Sequence, residues 1–210
     1  MKNEEILQKT RTFVETCMSG NDPSHDFSHV RRVFDHAVRI ADTMTGCDRF
    51  YLEMLVLLHD IDDRKLAAAG AHRVDDFLET LPLSPSYRQR ISEGVRQISY
   101  HAYTQKPQRV DLEVAIARDA DWLDAIGAIG VARAFLYSGA RGHAIYGGPD
   151  ESATTLHHFE EKLLGLSRCL VTEQGKRMAE ERQADASSRR RCLFAEHSVH
   201  DLSETADVAG

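Results

Sequence analysis

Residues 30–44 read VRRVFDHAVRIADTM. Val30, Val33, Phe34, Ala37, Ile40, Ala41 and Met44 fall at offsets 0, 3, 4, 7, 10, 11 and 14. That recurrence is one face of an α-helix, whereas a strand would need apolar residues at every second position. Working outward, similar periodicity predicts helices at about 3–18, 49–60, 71–80, 86–99, 111–137, 152–172 and 174–197. LPLSPS (81–86) and SGARGHAIYGGPD (138–150) carry the Pro, Gly and Ser of connecting loops. Runs of alternating β-branched residues are absent from the sequence, so the expected fold class is all-α, a helical bundle.

At 210 residues and 42% hydrophobic composition the chain is long enough for one sizeable core. A single domain over 1–198 is expected, with its motifs at 25–165 and a polar, flexible tail at 199–210 that offers little to bury. Lys and Arg number 26 against 33 Asp and Glu, a formal net charge of −7. Such a balance argues against nucleic acid or an anionic membrane as partner, so an anionic substrate has to be held by local cations or a metal. Arg189, Arg190 and Arg191 read as a solvated helix face. MKNEEILQKT lacks the basic-then-apolar order of a signal peptide, and no apolar run approaches the ~20 residues of a membrane span. A soluble, cytoplasmic protein is the expectation. Cys17, Cys47, Cys169 and Cys192 show no C-x-x-C spacing and read as idle thiols of a reducing compartment.

The helix at 49–60 differs from its neighbours, because Leu52, Met54, Leu55, Val56, Leu57 and Leu58 leave it almost no polar face. A helix apolar all round is central. Its end therefore delivers His59 and Asp60 into the interior, where an ionised carboxylate is costly unless paired or bound to metal. The His-Asp dipeptide alone is weak evidence, since it recurs as His25-Asp26 and as His200-Asp201 in the polar tail. In SHDFSHVRRV (24–33), Ser24 can cap a helix and set His25 and His29 four apart on one face, a spacing that suits two imidazoles on one ion or a capping pair. The same residues are a poor zinc-protease H-E-x-x-H site, because the shorter Asp26 replaces the catalytic Glu.

A further acidic block is ARDADWLDAIGAIGVARAF (117–135), where Asp119, Asp121 and Asp124 interrupt an apolar helix. Offsets of two and three cannot all share a face. Asp121 is credible as core-facing, and Asp119 and Asp124 as caps or as partners of a ligand. Gly127 and Gly130 each cost about 1 kcal/mol relative to Ala inside a helix, which close backbone packing would offset.

His29, then His59-Asp60, then Asp121 resembles the H…HD…D signature of the HD-domain metal-dependent phosphohydrolases. HDFSHVRRV, LLHDIDDRK, DADWLDAIGAIGVARAF and HHFEEKLLGL each look like blocks of a small bacterial branch of that superfamily. The resemblance implies an HD-domain helical bundle in which His29, His59, Asp60 and Asp121 ligate one divalent metal ion. Mixed imidazole and carboxylate ligands suit Mn, Fe, Co, Ni or Zn better than Ca, with Mg also admissible. One difficulty accompanies this set: adjacent helical residues diverge, so His59 and Asp60 reach one ion only if the helix ends there. The family pattern further implies that Asp63 orients or deprotonates the attacking water and that Lys65 neutralises phosphate charge. Arg133, Arg141, His158 and Lys162 lie in the resembling blocks as candidate substrate contacts, and Tyr146, beside Gly147 and Gly148, as part of a substrate loop. His101 departs from the pattern and reads as a surface-loop histidine, which leaves a single metal. The implied activity is hydrolysis of a phosphoester or phosphoanhydride bond of a nucleotide, with nucleoside triphosphate cleavage to monophosphate and pyrophosphate as first choice. Nucleoside monophosphate or cyclic-nucleotide hydrolysis, and a non-catalytic metal- and nucleotide-binding regulatory module, are the alternatives.

Overall fold

Asp48 opens the central helix by accepting the N–H of Tyr51, and the backbone N–H of Asp48 in turn donates to the buried Glu113 carboxylate at 2.7 Å. That helix and its neighbours belong to a computed structural model that describes residues 2–19, 26–62, 72–105, 109–145, 154–155 and 165–182. In chain order the helices are α1 (Asn3–Met18), α2 (Phe27–Ala41), α3 (Arg49–Leu58), α4 (Arg73–Glu79), α5 (Pro85–Arg96), α6 (Tyr100–Gln105), α7 (Leu112–Asp124) and α8 (Ala128–Ala140). A 3-10 turn, Leu166–Cys169, precedes α9 at 173–182. No strand occurs among the described residues, and the fold class is all-α. No described helix is long and apolar enough to cross a membrane.

α3 touches α1, α2, α5 and α7. Tyr51, Leu52, Met54, Leu55, Val56, Leu57 and Leu58 are all buried, as its all-round apolar sequence requires. Each such side chain taken out of water contributes roughly 1.5–3 kcal/mol, so this helix is the anchor of the core. α7 lies along both α2 and α3. Those three helices position the acidic and histidine residues singled out in the sequence.

The boundaries depart from expectation in instructive places. Asp26, not Ser24, caps α2, accepting the N–H of His29; Ser24 and His25 lie outside the described residues. The predicted helix 111–137 is two helices, broken at Gly127, whose φ of 92° and ψ of −163° belong to a region open essentially to glycine alone. At Gly130 a Cβ would meet the Ala125 carbonyl oxygen at 2.1 Å, so the close approach expected of these glycines joins the start of α8 to the end of α7. His101 sits in α6, not in a loop. Within the range predicted as helix 152–172, residues 166–169 form the 3-10 turn and 170–172 are not helical, because Thr172 serves as the cap of α9, its hydroxyl accepting the Gly175 N–H at 3.1 Å. Cys17, Cys47 and Cys169 are free thiols. Cys192, the basic run 189–191 and the tail 199–210 lie outside the described residues.

Candidate metal centre

His29 stands in the first turn of α2, where Asp26 fixes the backbone: its carboxylate accepts both the Ser28 hydroxyl at 2.5 Å and the His29 N–H at 3.1 Å. The carboxylate that a zinc-protease reading would need as a base is thereby committed to a helix cap. The His29 ring is 1% exposed, and its Nδ1 lies 2.8 Å from Asp124 Oδ2. An ionised carboxylate only accepts, so Nδ1 carries the proton and the Nε2 lone pair points the other way.

His59 is the C-cap of α3, which ends at Leu58. Its Nδ1 lies 2.8 Å from the Val56 carbonyl oxygen, another pure acceptor, so its Nε2 lone pair is also the free one. His59 keeps helical dihedrals, φ −56° and ψ −33°, at the start of the turn 59–62, and the pair converges through its side chains, His59 Nε2 lying 3.4 Å from Asp60 Oδ1.

The four groups converge closely. His29 Nε2 lies 3.3 Å from His59 Nε2, 3.4 Å from Asp60 Oδ2 and 3.4 Å from Asp121 Oδ1. His59 Nε2 lies 3.4 Å from Asp60 Oδ1 and 3.7 Å from Asp121 Oδ1. Ligands about 2.1 Å from a common ion stand roughly 3.0–3.4 Å apart in octahedral or tetrahedral arrangements, so these separations fit a single divalent cation. His29, His59 and Asp121 offer donor atoms all within 4.8 Å of one another, a group that can hold a metal ion. Asp60 flanks it with one oxygen toward each imidazole. Two lone pairs facing each other at 3.3 Å with carboxylates on either side repel unless positive charge lies between them.

The electrostatics say the same. Burial disfavours an imidazolium at His29, yet hydrogen bonds to Asp121, Asp124 and Asp60 outweigh it and hold the pKa at about 10. Burial likewise opposes charge on Asp121, but the His29 hydrogen bond and the nearby His59 ring bring its carboxyl below the ordinary range. Asp124 is 1% exposed and charged: hydrogen bonds from His29 and Arg32 and the field of Arg133 overcome its desolvation and depress its pKa strongly. Arg32 donates to it through Nε at 2.7 Å and Nη2 at 3.0 Å, and Arg133 through Nη1 at 2.8 Å. A carboxylate backed by two guanidiniums thus orients His29, the arrangement by which an outer partner fixes a ligating histidine.

The acidic triplet of α7 therefore separates into three roles. Asp121 faces the imidazoles, and Asp124 holds His29. Asp119, 0% exposed, accepts the N–H groups of Val171 and Thr172 and the Thr172 hydroxyl at 2.6–3.1 Å, so it docks the start of α9. Asp62 has a comparable structural task, accepting the N–H groups of Arg73 and Val74 at 3.1 Å at the start of α4.

Arg133 reaches this centre through Asp124. Arg141, at the C-terminus of α8, donates to the Tyr137 carbonyl and stacks its guanidinium 3.6 Å from the Tyr137 ring centroid. Asp63, Lys65, Tyr146, His158 and Lys162 lie outside the described residues. Sequence reasoning passed over Arg32, His36 and Arg182. Arg32 and His36 had a signal in their offsets of three and seven from His29 on α2, whereas Arg182 approaches only in three dimensions.

The HD domain family matches residues 26–126, a span that contains His29, His59, Asp60, Asp121 and Asp124. The uncharacterized Bacillus subtilis protein YpgQ is 32% identical over 186 residues, covering 87% of this chain and 89% of that one. Its crystal structure in complex with ADP superposes with a TM-score of 0.75 at 31% identity, over 93% of this chain and 99% of YpgQ. An HD-superfamily hydrolase of Bacillus thuringiensis is similar at TM-score 0.73 and 32% identity, covering 95% of this chain and all (100%) of its own. A Lactobacillus plantarum protein gives TM-score 0.84 at 28% identity with 95% and 100% coverage.

Proposed function

The chain belongs to the HD-domain superfamily, and from that premise we propose that it is a metal-dependent phosphohydrolase that cleaves nucleoside triphosphate and water to nucleoside monophosphate and pyrophosphate. The observation that carries the reading is the meeting of the two Nε2 atoms, at 3.3 Å, with the Asp60 and Asp121 carboxylates. His29, His59, Asp60 and Asp121 hold one divalent ion of the Mn, Fe, Co, Ni, Zn or Mg group. When bound, such an ion lowers the pKa of a coordinated water and offsets charge building on phosphate oxygens.

The chain's own residues supply the rest. The Val56 carbonyl, at His59 Nδ1, and the Asp124 carboxylate, at His29 Nδ1, keep both imidazoles in the tautomer that presents Nε2 inward. Asp63 accepts the proton of the attacking water, and Lys65 balances negative charge on the phosphate. Arg133, Arg141, Tyr146, His158 and Lys162 contact the substrate. The ADP complex of YpgQ supports a nucleotide as the class of ligand.

A panel of purified metal-free protein, divalent ions and nucleoside tri-, di-, mono- and cyclic phosphates, with phosphate and pyrophosphate measured separately, tests this reading. Pyrophosphate release from a triphosphate in the presence of a transition ion is expected. Binding of nucleotide without turnover under every metal would instead make the protein a regulatory module, and phosphate release from monophosphates alone would move the cleaved bond.

A further inference from the structure

We propose that Arg182, on α9, is a positioning residue for the metal centre, acting through His36 and the end of α7 on the Asp124 carboxylate that orients His29. This rests on the reading of the metal centre above. Arg182 donates through Nη1 to the Leu123 carbonyl at the C-terminal end of α7, which also accepts the Ile126 N–H at 3.2 Å. Its Nη2 lies 2.9 Å from His36 Nε2 and 3.4 Å from His36 Nδ1. His36 Nε2 in turn lies 3.9 Å from Asp124 Oδ1, and Asp124 Oδ2 lies 2.8 Å from His29 Nδ1. Two hydrogen-bonded steps, Arg182 to His36 and Asp124 to His29, thus flank a 3.9 Å contact between His36 and Asp124 on the way from α9 to the metal centre.

The local geometry is built for this arginine. Gly127 turns the chain between α7 and α8 at positive φ, and a Cβ there would come within 3.3 Å of Arg182 Cβ. The absent side chain lets the α9 backbone approach, so that Nη1 joins the Ile126 N–H, 3.2 Å from the same oxygen, as a further donor to the Leu123 carbonyl. At its other end α9 is held independently by the Asp119 carboxylate. His36 is buried on α2 with its pKa pushed down to about 4 by burial and by Arg182, so it is neutral and accepts the guanidinium hydrogen bond. The forked guanidinium serves both partners at once, which the single ammonium of lysine does not reproduce. Among the described residues the hydrogen bonds of Arg182 go to Leu123 and His36 and not to His29, His59, Asp60 or Asp121, so its effect passes through the orientation of His29.

Full-length, metal-free protein titrated with Co2+, followed by visible absorption, tests the inference with Arg182→Ala, Arg182→Lys and Asp119→Asn beside the wild type. The expected result is Co2+ binding weakened roughly ten-fold or more in both Arg182 variants, the loss typical of partners one layer out from the ion, with shifted ligand-field bands. Asp119→Asn loosens α9 at the opposite end and is expected to lower Tm while keeping wild-type affinity and spectrum. Should Arg182→Ala fail to fold, Arg182→Lys carries the comparison. Wild-type affinity and spectrum in the Arg182 variants would overturn the inference, as would an equal loss in Asp119→Asn, which would assign the effect to docking of α9 as a whole. Failure of the wild type to bind Co2+ would overturn the metal-centre reading itself, and this inference with it.

Discussion

Asp119, Asp121 and Asp124 are the same side chain at neighbouring positions, yet each faces a different environment, and charge-removing substitutions separate them. Asp121→Asn keeps the size but removes charge that a divalent ion needs, so it is expected to abolish measurable metal binding and hydrolysis. Asp124→Asn leaves a poorer acceptor for His29 Nδ1 and two arginines without their counter-charge, and is expected to weaken metal binding by about 10- to 100-fold. Asp119→Asn is expected to lower thermal stability with little effect on the ion. Metal dissociation constants for the three variants check the ordering; Asp119→Asn as the most damaged, with metal retained by Asp121→Asn, contradicts it. His36 provides a pH signature at the same scale. It is faced by Arg182 from α9, by Asp124 from α7 and by Arg32 and Arg39 along α2. Its folded pKa of about 4 lies below the ordinary 6.5, so the unfolded chain binds the extra proton first. The stability it leaves intact above about pH 6.5 is lost as pH falls toward 4, by on the order of 3 kcal/mol in full. His36→Gln is expected to flatten the stability profile between about pH 6.5 and 5 relative to wild type, where most carboxylates remain ionised. Parallel urea midpoints for the two proteins across that window would contradict the assignment. The four ligand candidates were legible because their residue types and order match a family pattern. The division of labour between Asp119 and Asp124 was not, because their partners, Thr172 on one side and Arg32 and Arg133 on the other, come from distant parts of the chain.

At the scale of elements, two chain breaks make the centre. α3 ends at Leu58, and in the turn that follows the His59 and Asp60 side chains close to 3.4 Å of each other. α7 ends at Asp124, and Gly127 starts α8 in a new direction that brings Arg133 back onto Asp124. Gly127→Ala forces a Cβ into a backbone region that L-residues avoid and against Arg182, so a loss of about 1–3 kcal/mol is expected. A urea midpoint unchanged from wild type would show that the turn relaxes freely and that the arginine is not packed against it. Helix existence was readable from apolar spacing at α1, α2, α3 and α5, since each buries one continuous face or, for α3, every face. The break after α7 was hidden because Ala125, Ile126, Ala128 and Ile129 continue the apolar pattern across it. A single Gly inside such a run is compatible with a helix, and only the positive φ distinguishes the turn. The cap of α9 was likewise invisible, because the carboxylate that satisfies Val171 and Thr172 comes from Asp119, on another helix.

The whole molecule is acidic, with a formal charge of −7, and it places still more negative charge around two buried imidazoles. Positive charge at that centre is favoured: the surrounding carboxylates raise the His29 pKa to about 10, and the ion of the proposed function would supply such charge when bound. The bundle that surrounds it does not depend on the ion, because α3 anchors α1, α2, α5 and α7 through apolar contacts. Fold and site are therefore separable by experiment. The direct test is isothermal titration of metal-free wild type and His59→Ala with Mn2+, with helix content followed by circular dichroism. The account predicts one ion per wild-type chain, none in His59→Ala, and the same helical signal in both; a His59→Ala protein that still binds one Mn2+ per chain with wild-type affinity would contradict it.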